Sequence, residues 1–171
     1  MKILITGGAG YIGSHITHLL VDHGFDVKII DNLSTGNQKL IPQNVEVFKL
    51  NIGAGNLITN ILKNFFPDII IHLAASVEVE ESVFNPIKYY QNNVVNSIKF
   101  LKSCIEANIK NIIFSSTAAV YASSKKQPIS ESSEKLPQNP YGRSKLIVEN
   151  VINDISETHK INNIIFRYFN V

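Results

Sequence analysis

Short apolar runs recur along the chain at wide intervals: KILIT (2–6), DVKII (26–30), VEVFKL (45–50), DIIIHL (68–73), NIIFSS (111–116) and NNIIFR (162–167). They are rich in Ile and Val with little polar alternation, so each is expected to be a strand buried on both faces, as in a parallel sheet covered by helices. Between them lie YIGSHITHLLVDHG, NLITNILKNFF, PIKYYQNNVVNSIKFLKSCIEAN and YGRSKLIVENVINDISETH. Apolar residues return there at three- and four-residue spacing, the period of an amphipathic helix. Alternating strands and helices predict an α/β fold on a doubly wound parallel sheet of about six strands. Ligands of such sheets lie beyond the carboxyl ends of the strands, where the strand order reverses. The longest aperiodic stretch, residues 122–140, is a loop long enough that a functional role is expected.

Composition narrows the class of partner. The chain has 171 residues, enough for one domain, with 44% hydrophobic residues, 18% charged residues and a net charge of +2. That balance points away from nucleic acid and membrane and toward a small molecule. The opening MKILITGG is too short an apolar run for a signal-peptide core or a membrane span. Cys104 is the only cysteine, which rules out an internal disulfide and fits a reducing cytoplasm. No metal is expected, because His15 and His18 lie on the first helix without a third ligand. His72 reads as core, Cys104 as a buried small hydrophobe, and Glu78, Glu80 and Glu81 as a solvated acidic edge.

The loop after the first strand reads TGGAGYIGSH. Gly8, Gly10 and Gly13 fit G-x-G-x-x-G, and Gly7, Gly10 and Gly13 fit a looser G-x-x-G-x-x-G. The loop follows a strand, opens a helix, and is followed by Asp31 at the end of the second strand, the arrangement that binds a dinucleotide in a Rossmann-type fold. Glycines allow close backbone approach, the helix N-terminus offers free N–H groups to a pyrophosphate, and the carboxylate accepts bonds from ribose hydroxyls. Asp31 would repel a 2′-phosphate, and NLSTGNQ after it has no arginine to hold one, so NAD is favoured over NADP.

SSTAAVY follows the fifth strand and NPYGRSK opens the next long helix. Asn139 suits the helix cap and Pro140 its first turn, which puts Tyr141 and Lys145 on one face. An ammonium near the phenol would lower its pKa from about 10 toward neutrality and make Tyr141 a general base. Thr117 would hydrogen-bond the same substrate hydroxyl.

With TGGAGYIGSH, DNLSTG, HLAA, YYQNNV, FSSTAAVY, YGRSK and RYFN in this order, essentially the whole chain resembles the extended short-chain dehydrogenase/reductases, and among them the UDP-glucose 4-epimerases. The resemblance implies that a UDP-hexose gives up its 4-hydroxyl proton while hydride passes from C4 to NAD, and that the 4-keto intermediate then turns over and takes the hydride back. It implies Tyr141 as proton acceptor, Thr117 as hydroxyl partner and Lys145 as tuning cation and ribose ligand. It places NAD on Tyr11 and Ile12, on Asp31, Asn32, Leu33, Ser34, Thr35 and Gly36, and on Asn51 and Ile52. It also places NAD on Leu73, Ala74, Ala75, Ser76 and Val77, on Asn92 and on Phe169. Asn170 would touch the sugar nucleotide.

There are departures from the family pattern. Asn51 stands where many relatives have Asp, Ala122 where Gly is common, and Val77 where several have Lys. Related 4,6-dehydratases carry an acid pair after the Thr, where this chain has Ala118 and Ala119. In the family the chain continues past RYFN into a C-terminal domain that grips the nucleotide. Residues 1–171 are therefore expected to be the NAD-binding domain without that second domain, with low activity alone. Helices 86–107 and 141–159 resemble the pair through which these enzymes form homodimers. An NAD-binding module without turnover, or another nucleotide-sugar enzyme of the same family, is the alternative.

Overall fold

A computed structural model describes residues 1–123 and 128–169. Among the described residues six strands form one parallel sheet: β1 (Lys2–Thr6), β2 (Asp26–Asp31), β3 (Glu46–Lys49), β4 (Ile69–His72), β5 (Asn111–Thr117) and β6 (Asn162–Tyr168). Their order is β3-β2-β1-β4-β5-β6, the Rossmann arrangement, which reverses between β1 and β4. Register runs from Ile3 opposite Val27 and Ile69 on the inner strands to Thr117 opposite Tyr168 at the edge. Each strand stands within a few residues of its apolar run.

Two apolar layers fix the sheet. Leu4, Ile30, Ile70, Ile112 and Phe114 pack on one face with Phe100, Leu101 and Cys104, and Ile3, Ile5, Ile29 and Ile71 pack on the other with Val27 and Val45. Cys104 is fully buried, as expected. The helices are α1 (Tyr11–Asp22), α2 (Asn56–Phe65), α3 (Val79–Phe84), α4 (Pro86–Tyr89), α5 (Asn96–Glu106) and α6 (Pro140–His159). Between α4 and α5, Tyr90–Val95 widens into a π-helical stretch. Such stretches often mark functional positions, because the extra residue re-aims its neighbours.

The acidic segment after β4 is not merely solvated. Glu80 and Glu81 open the short helix α3, where Glu81 accepts a hydrogen bond from Tyr89 Oη at 2.9 Å and pairs with Lys88. Among the described residues, no helix is long and apolar enough to cross a membrane. Residues 124–127 of the long loop lie outside the described residues. The rest of that loop folds back, with the Ala122 N–H donating to Glu134 O at 2.9 Å.

Candidate active site

A cleft of about 860 Å³ opens over the carboxyl ends of the strands, at the β1/β4 reversal. Its floor is the turn from β1 into α1. Gly7 has a φ of +73°, and a Cβ there would meet the Ala74 nitrogen at 2.7 Å. At Gly13 a Cβ would run into Gly7 O and would stand 2.7 Å from Gly8 Cα. The glycines thus let three backbone segments close up under the cleft. Gly10, the N-cap of α1, supplies no side-chain cap, so the first N–H groups of the helix have no partner within it, and Tyr11, Ile12 and Gly13 line the cleft.

Asp31 ends β2 in the wall. Its Oδ2 accepts from the Ala9 N–H at 2.9 Å and its Oδ1 from the Leu33 N–H at 2.8 Å. The carboxylate thus locks the glycine turn to the following loop, and each oxygen keeps one lone pair for a ribose hydroxyl. Asn32, Ser34, Thr35 and Gly36 line the cleft beside it, with Asn51 and Ile52 across from them. Asn51 Oδ1 accepts from the Gly53 N–H at 2.7 Å, so this departure from the usual Asp also caps its own loop.

Leu73, Ala74, Ala75 and Val77 line the cleft after β4, but Ser76 and Leu33 do not. Ser76 is held from behind. Asn93, in the π-helical stretch, accepts from Ser76 N–H at 2.8 Å and donates to Ser76 O at 3.0 Å and to Ser144 Oγ at 3.1 Å. Asn92 donates to Ser76 Oγ at 3.0 Å and reaches the cleft. Leu33 has a φ of +56° and packs against the apolar layer instead.

Helix α6 enters as its sequence predicts. Asn139 accepts from the Gly142 N–H at 2.7 Å and Pro140 occupies the first turn. Thr117, Tyr141, Lys145 and Phe169 all line the same cleft as the glycine turn and Asp31. Asn170 lies outside the described residues. Lys145 is buried and donates to Ser115 O at 2.7 Å, with its ammonium 4.8 Å from the Phe114 ring centre. Burial lowers its pKa to about 8, partly offset by the Glu149 carboxylate.

The expectation of an acidified Tyr141 is not met in the chain by itself. Burial raises the phenol above its ordinary value, and the nearby Thr117 hydroxyl only partly offsets this. The physical reason is that burial holds the ring from water, which disfavours the charged phenolate. That ring meets Tyr89 edge-on, centroids 6.5 Å apart.

His72 is core, as read. Its Nδ1 meets Thr6 Oγ1 at 2.6 Å and its Nε2 meets Ser97 Oγ at 3.1 Å, with Phe100 and Phe114 stacked beside it. Burial first, and Lys145 second, lower its pKa from 6.5 to about 3. Between those values the unfolded chain holds a proton that the folded chain lacks, so stability falls as pH drops through that window. Denaturant unfolding between about pH 6 and 4 should include a contribution of about one proton, ~1.4 kcal/mol per pH unit, that His72→Gln removes. An equal slope in the variant would exclude His72 as its source.

Three features were not legible as site residues: Ser115, whose carbonyl seats Lys145, the Asn93 clamp, and the pair Glu149–Arg167 behind Lys145. The doubled asparagine of YYQNNV and a Glu four residues after Lys145 were the available signals. His15 Nδ1 and His18 Nε2 each lie within hydrogen-bond distance of a backbone carbonyl, and no group of residues able to hold a metal occurs among the described residues.

The family model described as NAD dependent epimerase/dehydratase family matches residues 3–171. The chain is 43% identical over 170 residues to a UDP-glucose 4-epimerase of Azospirillum brasilense, covering 99% of this chain and 49% of the relative. The crystal structure of UDP-glucose 4-epimerase from Brucella ovis in complex with NAD superposes with a TM-score of 0.96 at 38% identity, covering 99% of this chain and 52% of that one. The UDP-Glc/GlcNAc 4-epimerase from Campylobacter jejuni gives a TM-score of 0.94 at 39% identity, covering 98% and 53%. The chain therefore spans about half the length of the relatives it matches.

Proposed function

The chain belongs to the NAD dependent epimerase/dehydratase family, and from that premise we propose that it is the NAD-binding, proton-transferring half of an enzyme that inverts C4 of a UDP-sugar. UDP-glucose and UDP-galactose are the proposed pair. The observation that carries this reading is one cleft lined at once by the glycine turn, Asp31, Thr117, Tyr141 and Lys145.

The residues fit NAD: Gly7 and Gly13 leave room that a Cβ would fill, and Asp31 keeps acceptor capacity at the ribose end. Tyr11 and Ile12 offer helix N–H groups to a pyrophosphate, and Lys145 holds the nicotinamide ribose. When bound, NAD supplies a reversible hydride acceptor and a positively charged ring. Tyr141 takes the proton from the sugar 4-hydroxyl and returns it, and Thr117 orients that hydroxyl. Tyr141 holds its own proton tightly in the chain by itself, so its base role depends on added positive charge near the phenol.

Elimination of water from the sugar needs a further acid and base beside Thr117, and Ala118 and Ala119 supply neither. Phe169 reaches the cleft at the end of the described chain, and Asn170 is the proposed first contact to the sugar nucleotide. A module that binds NAD without turnover is the second reading, favoured by the half-length match. Catalysis draws on binding energy from remote parts of a substrate, so residues 1–171 by themselves, about half the length of the relatives they match, are expected to turn over slowly. Pairing of two chains through helices 86–107 and 141–159, where Val95, Ile98 and Ile147 are exposed, is part of the proposal.

The test is incubation of the NAD-loaded chain with UDP-galactose and separation of the nucleotide sugars. Slow formation of UDP-glucose is expected, with no released keto sugar. NAD binding with no conversion at all would favour the module.

A further inference from the structure

Behind Lys145, one carboxylate gathers three elements. Glu149 is 1% exposed and lies one helical turn beyond Lys145 on α6. Its Oε1 accepts from Ser116 Oγ at 2.5 Å and from Arg167 Nε at 2.9 Å, and its Oε2 accepts from Arg167 Nη2 at 2.8 Å. Arg167 also donates through Nη1 to Tyr121 Oη at 2.7 Å and lies over the Tyr121 ring. Ser116 stands between Ser115, whose carbonyl seats Lys145, and Thr117.

We propose that Glu149 is a positioning residue: its buried carboxylate ties the ends of β5 and β6 to α6 and faces Lys145 with a negative charge, while Arg167 limits how much of that charge Lys145 feels. A buried bidentate pair is a costly way to add stability, since apolar residues of similar volume often do as well. Its placement one turn from Lys145 gives it a second use. The groups facing Lys145 are Tyr141 and Glu149 from its own helix, His72 from β4, and Arg167 from β6 across the Glu149 carboxylate. His72 is neutral above about pH 3 and burial holds the Tyr141 phenol above its ordinary value before NAD binds, so Glu149 and Arg167 are the charges that act on Lys145 in the free chain. The inference rests on the reading of Lys145 as the ribose ligand.

The test is the pH dependence of NAD affinity in the purified chain. Affinity is expected to fall as pH rises through about 8, where Lys145 loses its proton, and Lys145→Met should abolish that limb. Glu149→Gln should move the limb down by roughly one pH unit, and Arg167→Gln, which leaves the carboxylate unneutralised, should move it up. Glu149→Asp should restore part of the shift. A merely structural pair would weaken binding in both variants without moving the limb in opposite directions, and that result would overturn the proposal. Should Glu149→Gln fail to fold, Arg167→Gln decides alone: a limb that stays in place or moves down overturns it. A limb that survives Lys145→Met overturns the reading of Lys145 itself, and this inference with it.

Discussion

In the Tyr141→Phe chain, conversion of UDP-galactose to UDP-glucose is expected to fall by roughly two to four orders of magnitude while NAD binds about as before. The substitution removes one oxygen. The ring keeps its edge-on contact with Tyr89, and the Asn139 cap that starts α6 does not involve the side chain. Thr117 cannot stand in, because an alkyl hydroxyl is far less acidic than a phenol. Calorimetric NAD titration beside the rate measurement separates the two effects. An unchanged rate would remove Tyr141 from proton transfer, and a parallel loss of NAD would make it a binding residue.

Gly13→Ala is expected to weaken NAD by about a hundredfold, near 2.7 kcal/mol. The new methyl would run into Gly7 O and stand 2.7 Å from Gly8 Cα. Both are backbone atoms, so the turn must open and carry the start of α1 with it, and the N–H groups aimed at the pyrophosphate are displaced. The control is Gly24→Ala, at a φ of +77° with no atom within 4 Å of the added carbon. It carries the strain of a left-handed residue, about 1–2 kcal/mol of stability, and should leave NAD affinity alone. Equal losses of affinity in the two variants would mean that close approach at Gly13 has no part in binding.

The sheet was readable because its inner strands are largely buried on both faces, which makes apolar runs stand out. The edge strands β3 and β6 were expected to be buried as well, but lacking a neighbour on one side they keep exposed positions such as Ile164 and Phe166. The cap of α6 and the glycine turn were readable because each depends on residue types with a fixed local conformation. What stayed hidden depends on partners brought from elsewhere in the chain. Helix α3 is one and a half turns long, too short to establish a period. The π-helical stretch lies inside a run that reads as an unbroken helix, so its clamp on Ser76 leaves no periodic trace. The acidity of Tyr141 in the chain by itself was misjudged because the spacing to Lys145 shows proximity along a helix but not the burial that holds the phenol from water. Glu149 looked like one more polar residue of an amphipathic helix until Arg167 and Ser116 were found on it.

UDP-galactose carrying deuterium at C4 tests the central claim most directly, with the NAD-loaded chain and analysis of the product sugar. Hydride removed and returned within one site predicts UDP-glucose that still carries deuterium at C4, formed far more slowly by Tyr141→Phe. Product with hydrogen at C4, a keto sugar released in its place, or no product from a chain that holds NAD would contradict it.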